Sequence, residues 1–117
     1  MVKVDVSTTP YSEVQEAGAT GVRIQWLLAS AQGAPNFALR RFVLEPGGET
    51  PFHAHPWEHE VYVLSGTGVA VTAQGDTPLQ ADCAVLVAPG ETHCFRAGPD
   101  GLQFLCLVPL GEATIGH

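Results

Sequence analysis

The chain has 117 residues, 45% of them hydrophobic, with 12 acidic against 5 basic side chains and a formal net charge of -7. That length suits one domain with its own apolar core, and the acidic balance argues against nucleic acid and anionic membrane as partners. Cys83, Cys94 and Cys106 show no CxxC spacing, which favours free thiols and a cytoplasmic location, and the start of the chain alternates instead of forming a signal peptide's apolar run.

Thirteen glycines and nine prolines punctuate short Val, Leu and Phe runs, the pattern of an all-β chain with frequent turns. Residues 2–6 alternate as a strand that could pair with a neighbour's sheet, and residues 12–17 are long enough only for a helical turn. Residues 22–29 and 37–45 read as strands, the second turned by Pro46-Gly47-Gly48. Residues 59–64 form another, and Ser65-Gly66-Thr67-Gly68 turns into residues 69–73. Shorter strands follow at 77–80, 84–87 and 93–96, and Gly98-Pro99-Asp100-Gly101 precedes the last, 102–109. Short strands at near-regular spacing predict a small antiparallel barrel or sandwich. The chain therefore reads as a single domain over 1–117, with a barrel at about 22–109 and an N-terminal arm at 1–20.

Alternation sorts the faces. An inward His93 takes Phe95 with it and leaves Cys94 and Arg96 outside. Polar Gln103 is best placed outward, which turns Leu102, Phe104, Cys106 and Val108 inward. Val61 and Val63 share the face of His59, while Glu60, Tyr62 and Leu64 point away. Outward Leu64, Leu105 and Leu107 are too apolar for a free surface, so a second sheet layer or a subunit partner should cover them.

The densest chemistry lies in Pro51-Phe52-His53-Ala54-His55-Pro56-Trp57-Glu58-His59-Glu60, with His93 far downstream and only His117 outside the group. Residues two apart on an extended segment project to one side, so His53 and His55 can aim at one point. The Pro56-Trp57-Glu58 turn lets His59 return to it. A lone strand histidine is usually a hydrogen-bonded core residue. Several packed together without a metal leave buried nitrogens that each need a partner, so the cluster points to a metal centre.

These residues resemble a family. Gly47 and Gly48 before His53-Ala54-His55, the strand Val61-Tyr62-Val63-Leu64-Ser65-Gly66, and Pro89-Gly90 before His93 resemble the two signature motifs of the cupins, over roughly residues 37–109. The resemblance implies a six- to eight-stranded antiparallel β-barrel or jelly roll with a metal inside, and usually a dimer. It also implies a ligand set of two histidines and a glutamate from the first motif and one histidine from the second. Counting back seven positions from Gly66 places His59, not Glu60, in the glutamate slot. The ligands implied are therefore His53, His55, His59 and His93, with Glu60 the alternative to His59. The second motif departs from the family at Asp82, Ala88 and Ala97 but keeps His93 in register.

An all-imidazole shell leaves a divalent ion's charge uncompensated, which favours Lewis-acid behaviour and anionic oxygen ligands and disfavours oxidised states. One divalent transition metal per chain is expected, manganese or iron by the resemblance, with nickel, zinc, copper and cobalt also suited to imidazole. Phe95, Phe104 and Cys106 would line the pocket, as would Arg40 if it holds an anionic substrate, and Glu58 and Glu60 would orient ligand imidazoles. Trp57 reads as loop packing. Three function classes follow: a metal-dependent oxidoreductase of dioxygenase type on a small metal-chelating substrate, a metal-dependent isomerase or lyase, and a non-catalytic small-ligand or metal-binding barrel. A homodimer is the expected assembly.

Overall fold

The computed structural model describes residues 1–111, and His117 lies outside the described residues. Among the described residues there are seven strands: β1 (Ser12–Glu13), β2 (Thr20–Leu28), β3 (Phe37–Glu49), β4 (His59–Thr72), β5 (Gly75–Gln80), β6 (Ala84–Val87) and β7 (His93–Pro109). They pair antiparallel in the order β1-β2-β3-β7-β4-β5, with β6 also on β4. The sheet curls over its own core as a jelly roll without closing. The all-β expectation holds.

The long strands β3, β4 and β7 differ from the expected short ones. Each runs through a Gly/Pro cluster that the sequence marks as a turn. β3 passes Pro46-Gly47-Gly48 with a register shift between Leu44 and Glu49. β4 passes Ser65–Gly68 with shifts on either side of Gly66, and β7 passes Gly98–Gly101 opposite it. Gly66 (φ 86°) and Gly101 (φ 78°) adopt left-handed backbone. A Cβ on Gly66 would collide with the Gly101 carbonyl, so the bend needs a residue without one. These glycines bend paired strands; the pairing partners on either side keep the strands going.

The arm also differs from expectation. Residues 2–6 form no strand: a 3-10 turn at Val6–Thr8 follows Asp5, whose carboxylate accepts from the Ser7 amide (3.0 Å) and hydroxyl (2.7 Å). That local bonding competes with sheet pairing. The helical turn expected at 12–17 is replaced by β1, paired with Arg23 and Ile24 of β2. Fully buried Gln25 clasps the arm, its amide donating to the Val6 and Thr9 carbonyls (2.9 Å each).

The inward set forms one apolar core, with Val61, Val63, Leu102, Phe104, Cys106 and Val108 all buried. Glu60, Tyr62 and Leu64 face outward as alternation requires. Cys94 is on the outward side yet buried, beside Thr50, Phe52 and Val71. Of the outward leucines expected to lie under a second layer or a subunit partner, Leu105 and Leu107 are half-buried, and among the described residues no second layer covers Leu64. Tyr62 and Leu64 stay exposed, as does Leu86, at 63%.

Candidate metal centre

Two backbone hydrogen bonds tie the first histidine segment to the second. The His53 amide donates to the His93 carbonyl (3.1 Å), and the His93 amide donates back to the His53 carbonyl (2.9 Å). The Gly90 amide donates to the His55 carbonyl (2.7 Å), so the Pro89-Gly90 turn fixes the other side of the loop. His59 opens β4 and His93 opens β7; the antiparallel ladder alone sets them far apart, with His93 opposite Thr72 and Glu60 opposite Leu107, and the bend at Gly66 and Gly101 folds the strands back so that the two rings meet at one end of the core. Residues 34 positions apart in sequence meet there.

The four rings form a cycle. Ring centroids are 4.4 Å apart for His53 and His55, 5.4 Å for His55 and His59, 5.1 Å for His59 and His93, and 5.5 Å for His93 and His53. His53, His59 and His93 line a cavity of about 30 Å³, room for an ion with one or two waters but not for a whole metabolite. His55 is in the cycle but not in the cavity wall, and its ring stacks on Trp57 (4.4 Å, 7° between planes). Among the described residues no three His, Cys, Asp or Glu side chains already stand in a metal-holding arrangement. The rings are gathered, and binding an ion would require turning their nitrogens onto one point.

The electrostatics keep two of these rings neutral. Burial, with the charges of His93, Arg40, His55 and His53 adding to it, pushes the His59 pKa down to about 3. Burial also lowers that of His93, against the opposing hydrogen bond to Glu91. Neutral imidazole is the metal-binding form. His93 Nδ1 lies 2.8 Å from the Glu91 carbonyl, which leaves its Nε2 for the cavity. His53 Nδ1 lies 3.1 Å from Glu16 Oε2. His59 Nδ1 is buried without a hydrogen-bond partner, an atom that a bound cation or water would satisfy. The donor set and this unmet nitrogen fit a divalent transition ion.

The cavity wall gathers all four expected pocket residues, Arg40, Phe95, Phe104 and Cys106. Glu58 and Glu60 are elsewhere, exposed along an outer groove with Phe37 and Leu107. The carboxylate that meets a histidine is instead Glu16, from the arm. Sequence reasoning misses it because a lone Glu in a polar stretch carries no periodic signal. Trp57 as a stacking platform for His55 and Phe42 as a wall residue were likewise not foreseen; their signals were an aromatic two positions from a histidine and the inward parity of Arg40.

Comparison with known proteins bears on the family and the fold. Residues 40–108 match the cupin domain family. The polyketide cyclase RemF from Streptomyces resistomycificus is 35% identical over 93% of this chain and 79% of its own, with a TM-score of 0.88. A predicted oxalate decarboxylase from Thermotoga maritima is 27% identical over 94% of this chain and all of its own, with a TM-score of 0.81. The 1-methylthio-D-xylulose 5-phosphate methylsulfurylase of Rhodospirillum rubrum is 34% identical over 71 residues, and the matched stretch spans 46% of that protein.

Proposed function

The chain belongs to the cupin domain family, and on that footing we propose a metal-dependent enzyme that binds one divalent transition ion through His53, His55, His59 and His93. Its reaction is non-oxidative, on a small, oxygen-rich substrate whose carbonyl a bound ion would polarise. The observation that carries this reading is the closed cycle of four imidazoles, two of them held neutral by burial. A bound divalent ion would supply Lewis acidity, undiminished by any anionic ligand.

The chain's own residues do the rest. The Glu91 carbonyl fixes the His93 ring through Nδ1, and Glu16 does the same for His53. Phe95 and Phe104, packed with centroids 4.9 Å apart, make an apolar wall that excludes water from the reacting end. The small cavity admits that end and leaves the body of the substrate at the mouth. RemF is by name a polyketide cyclase, and cyclisation is not in itself an oxidation. That likeness supports the non-oxidative branch over the dioxygenase branch, as does a neutral ligand set that disfavours oxidised metal. A homodimer joined through the exposed Tyr62, Leu64 and Leu86 face belongs to the same proposal.

The test begins with elemental analysis of untagged protein beside His93→Ala. About one ion per chain, lost in the variant, establishes the centre, and no metal in either overturns it. Loaded protein is then given acetylacetone in heavy water under nitrogen and, separately, under air. Metal-dependent exchange of the carbon-bound protons without dioxygen use supports the proposal. Dioxygen consumption selects the dioxygenase reading, and bound metal with neither reaction selects the binding barrel.

A further inference from the structure

The cavity holds a cation that the fold does not neutralise. Arg40, on β3, is 1% exposed, and its neighbours there are Phe42, Phe104 and Cys106. The ion pairs among the described residues are His53–Glu16 and Arg96–Glu49, so Arg40 has no carboxylate partner. Its Nη2 donates to Cys106 Sγ at 3.1 Å, while Nε and Nη1 are buried without a hydrogen-bond partner. Burial raises the Cys106 thiol above its ordinary range despite Arg40 beside it, so the sulfur accepts as a neutral thiol. The Trp26 and Phe42 rings lie 5.3 and 5.1 Å from the guanidinium carbon and offset part of the charge, but neither offers an oxygen acceptor.

A buried cation with unmet donors is costly unless something pairs with it. From this we infer that Arg40 is an anion anchor, and that the substrate is a small planar organic oxyanion, a carboxylate or enolate, whose charged end reaches Arg40 in the histidine-lined cavity. The inference rests on the proposed function only for where the reacting end goes; the unmet guanidinium stands without it. Guanidinium suits this role because it stays charged when dry and directs its N–H groups in the plane that a carboxylate or enolate shares. Cys106 acts as a positioning residue, holding Nη2 so that the other donors stay turned to the cavity.

The test uses zinc-loaded protein, which is redox-silent, with pyruvate and its neutral counterpart pyruvamide as probes in calorimetric titrations. Wild-type protein is expected to prefer pyruvate by at least about 30-fold. Arg40→Met should reduce that preference to about 3-fold or less, while Arg40→Lys, which keeps the charge, should retain more than Met does. Circular dichroism confirms folding, and metal content is measured in each protein. Equal preference in wild type and Arg40→Met, both with metal bound, overturns the anchor and leaves Arg40 a packing residue. If wild type binds no metal, the metal reading fails separately. The titration is then run on metal-free protein, where a pyruvate preference that depends on Arg40 upholds the anchor and its absence overturns it.

Discussion

The metal-free protein should lose stability on mild acidification, with buried His59 the principal source and His93, also lowered by burial, adding in the same direction. His59 is 5% exposed, with its pKa pushed down to about 3 from an ordinary 6.5. Below pH 6.5 the unfolded chain takes up a proton at this histidine, whereas the folded chain refuses it until about pH 3. Stability is therefore full above pH 6.5 and falls as pH drops toward 3. Integrating that difference from pH 7.5 to 4.5 gives a loss of about 2.5 kcal/mol from His59 alone. With a urea dependence of roughly 1–2 kcal/mol per molar, the unfolding midpoint should fall by roughly 1–2.5 M. Urea titrations followed by Trp fluorescence, at several pH values with chelator present, measure this directly. His59→Gln removes the titrating group and should flatten the pH dependence by most of that amount, even if its midpoint at pH 7.5 is lower. A midpoint that falls equally in wild type and variant would refute the reasoning, since the acid sensitivity would then come from other groups.

Three further outcomes follow from the same geometry. Glu16→Gln should weaken metal binding by roughly 10-fold in competition with a chelator while leaving the melting temperature of the metal-free protein nearly unchanged, because Glu16 orients the His53 ring from an exposed position. Gly66→Ala should destabilise by about 3 kcal/mol or more in urea titrations, since it brings a Cβ against the Gly101 carbonyl at a left-handed backbone position; unchanged stability would show that the bend can relax. Phe104→Ala should cost about 3–5 kcal/mol, because the ring is 1% exposed and packs on both Phe42 and Phe95.

Much of this protein is legible in one dimension. Alternation along β4 and β7 places His59, Val61, Val63, Phe95, Phe104 and Cys106 inward correctly, because a strand's two-residue period needs no knowledge of what it pairs with. The spacing of His53, His55, His59 and His93 indicates that the four side chains share a purpose, since residue type and period are local properties. Tertiary structure decides what depends on a distant partner. Whether Gly98–Gly101 ends a strand or bends it depends on β4 running opposite, and where residues 6–9 lie depends on Gln25, whose amide holds the Val6 and Thr9 carbonyls. Glu16 reaches His53 only because β1 lies against β2 and carries the arm to the cavity mouth. Arg40 is an ordinary strand arginine in the sequence. The curl of the sheet closes apolar walls around it, removes water from its N–H groups and supplies no counter-charge, and desolvation of that kind is a property of the enclosure and not of the residue.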